Sequence, residues 1–262
     1  MNLDLTNKTA IVCGSTQGLG YASAVELALL GCNIVLLARN EEKLKQVIPA
    51  LDRKKGQQHS YLIADFSDVA SVKRSIDDFI AAGKTAAILV NNTGGPAGGT
   101  AIDASPEEFI KAFNAHLICN QLLTQAVVPG MKAAGFGRIV NIISTSVKQP
   151  IPGLGVSNTI RGAVASWSKT LATELGPFGI TVNNVLPGFT KTGRYDALMQ
   201  SRATASGKSF EEIDASVAAD IPAKRIGLAE EFGAAVAFLC SPAAAYINGI
   251  NLPVDGGRLG CL

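Results

Sequence analysis

The stretch TAIVCGSTQGLG, residues 9–20, gives the first indication of the fold of this chain. It begins with an apolar run of strand length and continues into a turn that holds Gly14, Gly18 and Gly20. Directly afterwards, apolar residues recur at helical spacing over residues 19–32. A strand, a turn free of Cβ atoms and a helix N-terminus together predict a backbone cradle for an anion such as a pyrophosphate.

The same alternation of strand and helix continues to the end of the chain. Further apolar runs of strand length lie at 33–39, 60–66, 86–95, 137–144, 180–188 and 248–257. Helical segments lie between them at 41–54, 68–82, 105–128 and 157–175. Buried strands that alternate with helices indicate an α/β fold with one doubly wound parallel sheet (Rossmann-type) and helices on both faces.

The chain contains no internal repeat and no linker, so we expect a single domain over 1–262. The segment 189–222 is polar and rich in Ser, Ala and charged residues. It follows a predicted strand and would lie beyond the carboxyl ends of the sheet. We therefore predict that this segment is a lid over a ligand crevice.

Composition excludes several classes of protein. Hydrophobic residues make up 47% of the chain, charged residues 17%, and the net charge is only +2, with scattered basic residues. We expect a compact protein that binds neither nucleic acid nor membrane, because no basic face and no apolar run of about 18–20 residues is present. The five cysteines are odd in number and form no CxxC pair. With no signal-peptide pattern at the N-terminus, they predict reduced thiols in a cytoplasmic protein without a metal site.

Four later segments place the chain near a known family. They are NNTGG (91–95), GRIVNIIS (137–144), LATELGPFGITVNNVLPGFTKTG (171–193) and INGINLPVDGG (247–257). Together with the GxxxGxG spacing of the first turn, they resemble the short-chain dehydrogenase/reductase family, in particular its β-ketoacyl-carrier-protein reductase-like group. The resemblance covers nearly all residues. It implies a nicotinamide dinucleotide cofactor and the interconversion of a ketone and a secondary alcohol, with a 3-oxoacyl thioester as one possible substrate.

The resemblance also implies which residues bind the cofactor. They are Gly14, Ser15, Gly18, Leu19, Gly20, Asp65, Phe66, Asn92, Gly94, Arg161, Pro187, Gly188 and Thr192. The end of the second strand carries Ala38 and Arg39 rather than an acidic residue that would bind the 2′-hydroxyl of NAD. A guanidinium pairs well with a phosphate, so we favour NADP(H) over NAD(H). Alternatively, Arg39 solvates the strand end or pairs with Glu41 or Glu42.

The proton-transfer site differs from the family pattern. Ser144 matches the serine of the family, but Ser157 stands where the family has tyrosine and Arg161 where it has lysine. His116 stands where the family has asparagine. A serine hydroxyl is a poor acid, and an arginine stays protonated and cannot shuttle protons, although it can stabilise an oxyanion.

Three other residues are candidate proton donors. His116 has an ordinary pKa near neutrality, Lys148 lies four residues after Ser144, and Tyr195 lies on the predicted lid. Each also has a structural interpretation: a satisfied helix histidine, a solvated loop lysine and a tyrosine that packs within the lid. The sequence leaves the choice open among these residues, water and a group on the substrate.

Two functions from different classes follow from this departure. The first is an active NADP(H)-dependent oxidoreductase with an altered proton path. The alternative is a catalytically silent protein that binds a dinucleotide as a sensor or partner subunit, and a non-redox enzyme on the same fold is a third possibility. The family resemblance implies a homo-oligomer, tetramer or dimer, built through the two long helices and the last strand.

Overall fold

The computed structural model describes residues 1–261. The strands are β1 (Thr9–Cys13), β2 (Asn33–Ala38), β3 (Ser60–Ile63), β4 (Ile88–Asn91), β5 (Gly137–Ile142), β6 (Ile180–Pro187) and β7 (Asn251–Val254). They form one parallel sheet in the order β3-β2-β1-β4-β5-β6-β7. The chain thus winds outward from β1 first to one edge and then to the other. This order confirms the predicted doubly wound α/β fold.

Helices cover both faces of this sheet. They are α1 (Gly18–Leu29), α2 (Glu41–Val47), α3 (Val69–Ala81), α4 (Pro106–Phe113), α5 (Cys119–Ala134), α6 (Gly155–Leu175), α7 (Gly193–Ser206), α8 (Phe210–Ala219) and α9 (Ala229–Cys240). Because successive strand residues point to opposite faces, β1 contributes to both cores. Val12 packs in a cluster with Leu27 and Phe232, whereas Ile11 packs in a cluster with Ile76 and Leu123.

Two helical regions differ from the sequence prediction. The predicted helix 105–128 begins as expected, with Ser105 and Glu108 forming a capping box, but a π-helical turn over Asn114–Ile118 separates α4 from α5. In addition, α9 has no counterpart in the prediction. It is apolar on most sides because it packs tightly on α1: a Cβ added to Gly233 would lie 2.7 Å from the Ala22 carbonyl oxygen.

The segment 189–222 contains the helices α7 and α8 rather than an irregular loop. Apolar side chains of these helices and of the residues that follow α8 form a small core, separate from the two cores of the sheet. The buried members of this cluster are Tyr195, Met199, Val217, Ile221 and Ile226. The segment follows β6, so it begins at the carboxyl edge of the sheet, and its function as a lid stays a prediction.

Four asparagines form a hydrogen-bonded row across the carboxyl half of the sheet. Asn91, Asn141, Asn184 and Asn251 occupy paired positions on β4 to β7. Each side-chain amide donates to the next side-chain oxygen, at distances of 2.8, 3.0 and 2.8 Å. A slip of any one strand would break this row, so it fixes the register of the strands that lead into the candidate site.

The cysteines are free thiols in the described residues. Cys13, Cys32, Cys119 and Cys240 are buried, and Cys261 is exposed. Burial raises the pKa of Cys13 and of Cys240 to about 12, so these thiols stay protonated and unreactive at neutral pH. Within residues 1–261 no helix is both long and apolar enough to span a bilayer.

Candidate active site

The glycine turn after β1 is closed by backbone contacts that exclude side chains. Gly14 and Gly18 have φ angles of +57° and +60°, in the left-handed region that glycine adopts without strain. A Cβ on Gly20 would lie 2.3 Å from the Gly14 carbonyl oxygen. The Asn92 amide, which follows β4, donates to the Cys13 and Gly14 carbonyls at 3.3 and 3.2 Å. Asn92 therefore supports the turn from behind.

The N-terminus of α1 has backbone N–H groups that no side chain caps. Gln17 at the N-cap makes no side-chain hydrogen bond to the helix, and the first turn holds no acidic residue. By contrast, Asp68 caps α3 and Ser105 caps α4. Free N–H donors at the positive end of a helix dipole fit a pyrophosphate. The residues of this turn therefore fit the dinucleotide that the sequence predicts.

Thr192 lies across from the glycine turn. A Cβ on Gly18 would be 3.6 Å from the Thr192 side-chain methyl, so the start of α7 approaches the start of α1. Pro187 ends β6, and Gly188 packs so closely on β7 that a Cβ would lie 2.6 Å from Asp255 Cα. The predicted cofactor residues after β6 thus lie at the same edge of the sheet as the turn after β1.

Three predicted cofactor residues have side chains within the scaffold. The buried Ser15 hydroxyl accepts a hydrogen bond from the Leu37 N–H at 3.1 Å. Phe66 packs in the core beneath the sheet, and Leu19 packs partly against the opposite core. Their side chains hold the loops in place, and direct cofactor contacts of these residues stay predictions.

Arg39 projects from the end of β2 at the edge of a surface cleft of about 610 Å³. Its side chain is 77% exposed, and its nearest carboxylate is Asp65 at 4.0 Å. Glu41 and Glu42 instead pair with Lys45, which contradicts the alternative pairing considered for Arg39. The cleft is lined by Arg39, Asn40, Glu41, Glu42, Ile63, Asp65 and Ser71. Arg39 is therefore available to a ligand.

Asp65 is held in its charged form at the end of β3. Its carboxylate accepts hydrogen bonds from the Ser67 N–H and hydroxyl at 2.9 and 2.8 Å. These bonds lower the pKa of Asp65, with a smaller contribution from the Arg39 guanidinium. Asp65 lines the same cleft as Arg39, and it is one of the cofactor-binding residues that the family resemblance implies.

Ser144 follows β5, and its hydroxyl is oriented by the next turn. Its oxygen accepts a hydrogen bond from the Ser146 N–H at 3.0 Å. Since this bond uses the Ser144 oxygen as an acceptor, its own O–H proton remains available to donate. Ser144 can therefore polarise a substrate carbonyl.

Ser157 and Arg161 lie one turn apart on α6. Ser157 is partly exposed, whereas Arg161 is only 8% exposed. The Arg161 Nη1 group donates to the Ile142 carbonyl at 3.1 Å, and the buried Nε has no hydrogen-bond partner within residues 1–261. Burial, and secondarily the nearby Arg194, lower the pKa of Arg161 to about 10, so it is still a cation at neutral pH.

His116 lies in the π-helical turn and is 2% exposed. Burial lowers its pKa to about 3, and the positive charges of Arg161 and Arg194 act in the same direction. The expectation that His116 titrates near neutrality is therefore wrong. The imidazole is neutral at physiological pH because burial disfavours its charged form, and the two guanidinium groups add to this effect.

The two other candidate acids differ in their surroundings. The Tyr195 hydroxyl donates to the Asp214 carboxylate at 2.6 Å, and burial together with this bond raises the pKa of Tyr195. Tyr195 is thus engaged within the small core of α7 and α8, which corrects its candidacy as a proton donor. Lys148 follows the short turn after Ser144 and is partly buried. Its role stays a prediction.

The structure adds Arg194 to the site, which the sequence analysis did not identify. A Cβ on Gly95 would lie 3.0 and 3.2 Å from the two terminal nitrogens of Arg194. Gly94, the neighbouring predicted cofactor residue, has open space at its Cβ position. The signal in the sequence was the unusual Gly-Gly-Pro at 94–96, whose second glycine leaves room for a guanidinium from a distant segment.

The loop after β4 also meets the start of α6. The Gly99 N–H donates to the Gly153 carbonyl at 2.7 Å, and the Gly155 N–H donates to the Gly99 carbonyl at 2.9 Å. A Cβ on Gly155 would lie 2.3 Å from the Ala101 nitrogen. These contacts hold the turn that precedes Ser157 against the glycine-rich loop.

Residues 1–261 contain no group of three or more His, Cys, Asp or Glu side chains suited to a metal ion.

Comparison with known proteins supports this description. A family model described as Enoyl-(Acyl carrier protein) reductase matches residues 14–258. Dehydrogenase/reductase SDR family member 4 of Homo sapiens is 32% identical over 254 residues, which cover 97% of this chain and 88% of that protein. The 3-oxoacyl-[acyl-carrier-protein] reductase FabG of Chlamydia trachomatis is 30% identical over 253 residues, which cover 97% and 98%.

A solved structure agrees in fold over the whole chain. L-sorbose reductase from Gluconobacter frateurii, complexed with NADPH and L-sorbose, has a TM-score of 0.94 and 31% sequence identity, and the match covers 100% of both chains. Similarity that extends from the glycine turn to the last strand confirms the resemblance inferred from the motifs. The chain belongs to the short-chain dehydrogenase/reductase family, a family of NAD(P)-dependent oxidoreductases.

Proposed function

We propose that this protein is an NADP(H)-dependent oxidoreductase that interconverts a ketone and a secondary alcohol. The observation that carries the proposal is the uncapped glycine turn after β1 at the same edge of the sheet as Ser144 after β5. One feature would hold the dinucleotide, and the other would hold a carbonyl. When the cofactor is bound, its nicotinamide supplies or accepts the hydride.

NADP(H) is the favoured cofactor because of Arg39. Its guanidinium is exposed and only loosely paired, so it can form charge-assisted hydrogen bonds with a 2′-phosphate. The similar L-sorbose reductase was solved with NADPH. Gly14, Gly18 and Gly20 would surround the pyrophosphate, and Asn92 would hold their turn in place. Pro187, Gly188 and Thr192 would hold the nicotinamide carboxamide, as the family resemblance implies.

The proton path of this enzyme does not use a tyrosine of α6. Ser144 would donate its hydroxyl proton in a hydrogen bond to the carbonyl oxygen, and the Arg161 cation would stabilise the developing oxyanion. His116 is neutral and Tyr195 is bound to Asp214, which leaves neither as a ready acid at neutral pH. We infer that water delivers the proton to the alkoxide.

The quaternary structure of the protein also belongs to this proposal. We infer a homotetramer, because the family resemblance implies assembly through the two long helical segments, which include α4 to α6, and the last strand. Apolar Ile110 and Phe113 on α4 are exposed, and β7 is an edge strand of the sheet. On the example of FabG, a 3-oxoacyl thioester is one candidate among the carbonyl substrates to be tested.

Titration with NADPH and with NADH tests the cofactor part of the proposal. Replacing Arg39→Glu is expected to raise the Kd for NADPH about 10- to 100-fold, because a phosphate-binding cation becomes an anion. The Kd for NADH should remain within about 2-fold of the wild type. Arg53→Glu makes the same change of charge at an exposed loop residue and serves as the matched control. Equal loss of NADPH and NADH binding would contradict the assignment of Arg39.

Turnover tests the redox part. The nicotinamide absorbance is followed with NADPH, the protein and a panel of small ketones, sugars and 3-oxoacyl thioesters. Consumption of NADPH that is abolished by Ser144→Ala supports the oxidoreductase. Tight NADPH binding without turnover on the whole panel would instead support the alternative function, a dinucleotide-binding sensor or partner subunit.

A further inference from the structure

Two arginines, Arg161 and Arg194, form a cationic pair at the candidate active site. Arg161 extends from α6 to the end of β5, and Arg194 extends from the start of α7 to Gly95. Their charges are close enough that Arg194 contributes to the lowered pKa of Arg161, and both contribute to that of His116. Neither guanidinium forms an ion pair with a carboxylate of residues 1–261.

Such a pair is unfavourable without a counter-ion. A buried guanidinium loses hydration, and a second cation nearby adds repulsion. The Arg161 Nε is a donor that is buried and has no partner, so this side chain has unused hydrogen-bonding capacity. The third group of the cluster, His116, is neutral and contributes no negative charge. An anionic ligand at Arg194 would relieve the repulsion between the two guanidinium groups.

The position of Arg194 allows a ligand to reach it. The residue is exposed, and Thr192 fixes the start of its helix by capping α7. Its two terminal nitrogens both lie against the backbone of Gly95, where a larger residue would displace them. Two neighbouring N–H donors match the two oxygens of a carboxylate.

The location of the pair favours the substrate over the cofactor as the source of the anion. The atoms nearest to Cβ positions at Gly14, Gly18 and Gly20 do not belong to Arg194, although Thr192, two residues before it, lies beside Gly18. The arginine pair instead adjoins His116 and the end of β5, close in the chain to Ser144. A ligand whose carbonyl lies at Ser144 would therefore extend its other polar group toward Arg194.

We propose that the substrate is a short oxo acid whose carboxylate is bound by Arg194, with Arg161 facing the carbonyl side. This inference rests on the proposed reductase function and specifies its substrate class. Arg194 is thus a specificity-determining residue. A neutral ketone of the same size would bind without relieving the repulsion between the two arginines.

Kinetics with matched pairs of compounds test the inference. The probes are 2-oxobutanoate, 3-oxobutanoate and 4-oxopentanoate, each compared with its ethyl ester. For the preferred acid, Arg194→Gln is expected to raise KM about 10- to 100-fold, because charge-assisted hydrogen bonds to the carboxylate are lost. The KM of the ester and the Kd of NADPH should stay unchanged. Arg194→Lys should restore part of the loss.

Arg202→Gln is the matched control. Arg202 is an exposed arginine on the same helix, and it stacks over the Phe189 ring at 5.7 Å, outside the arginine pair. It should leave the kinetics of acid and ester unchanged. If Arg194→Gln weakens NADPH instead of the acid, the anion is the cofactor's diphosphate and the inference is overturned. It is also overturned if the wild type shows no preference for any acid over its ester.

Calorimetric binding separates this inference from the proposed function. The reduced compounds 2-hydroxybutanoate, 3-hydroxybutanoate and 4-hydroxypentanoate are titrated into the protein with NADP⁺ present and absent. Arg194-dependent binding without any turnover would support the carboxylate site while contradicting the reductase. Turnover of ketones with no Arg194-dependent binding of any acid would support the reductase and overturn the carboxylate site.

Discussion

Ser157 and Arg161 stand where the family resemblance implies a tyrosine and a lysine. On that prediction, the site has a weak hydroxyl acid and a fixed cation in place of a phenol and a lysine one turn away. Because general acid catalysis contributes about 10²- to 10⁴-fold, we expect Ser157→Tyr combined with Arg161→Lys to raise kcat within that range. The measurement is the rate of NADPH oxidation with the best ketone.

The control for this double variant is Ser157→Phe with Arg161→Lys. It supplies the same aromatic ring without an acidic hydroxyl, so it should not share the gain. Equal rates in the two variants would mean that the hydroxyl is not the acid. A gain confined to Tyr would show that the natural site lacks a general acid.

The buried His116 predicts that the stability of the protein depends on pH. The pKa of His116 is about 3 in the folded protein, against 6.5 for an unperturbed histidine in the unfolded chain. As pH falls, the unfolded chain therefore binds a proton at His116 before the folded protein does. Stability attributable to this group is therefore complete above pH 6.5 and declines toward pH 3. Relative to His116→Asn, the wild type should lose about 2 kcal/mol of unfolding free energy between pH 7 and about pH 5. Urea unfolding of both proteins measures this difference, and parallel pH curves would contradict it.

The sequence predicted which residues belong to the candidate site, but it did not predict which side chains surround them. Ser144, Arg161 and His116 were found by their spacing in the family pattern. The lowered pKa of His116 comes first from burial, with contributions from Arg161 and from Arg194, which lies 78 positions away. The hydrogen bond of the Tyr195 hydroxyl depends on Asp214. A local sequence pattern does not predict such partners, because contacts between side chains of distant segments form only in the folded chain.

The secondary structure was predicted correctly from the sequence where a single physical requirement, such as burial on both faces, determines the residue pattern of an element. The inner strands, β1, β2, β4, β5 and β6, are buried on both faces, and their sequences are therefore continuous apolar runs. The helix α9 was not predicted. Its contact with α1 requires small residues such as Gly233 on one side, and its other sides carry apolar residues. This distribution weakens the 3.6-residue periodicity by which a helix is predicted. The π-helical turn between α4 and α5 escaped as well, since one wider turn hardly changes helical periodicity.

The helices and strands contribute different features to the candidate active site. The uncapped start of α1 offers N–H donors, whereas the starts of α4 and α8 are closed by capping boxes. The asparagine row on β4 to β7 aligns the strand ends that precede Asn92, Ser144 and the segment after β6. A rigid sheet edge of this kind allows loops to change chemistry without loss of the fold.

Considering the whole molecule, the sheet has an edge strand on each side, and helix α4 has exposed apolar side chains on one face. The doubly wound order leaves β3 and β7 at the edges. On α4, Ile110 and Phe113 lie three residues apart on one face and are 59% and 38% exposed. Large apolar side chains exposed on a helix next to a predicted interface favour association of copies.

The final prediction therefore concerns assembly. Size-exclusion chromatography with light scattering should give the wild type four times the mass of the chain. Ile110→Glu combined with Phe113→Glu should reduce this mass, since burying each apolar side chain contributes about 1.5–3 kcal/mol and a buried unpaired carboxylate is costly. Leu198→Glu changes an apolar side chain that is 43% exposed on α7 and should leave the mass unchanged. A monomeric wild type, or a double variant with the wild-type mass, would contradict association through α4.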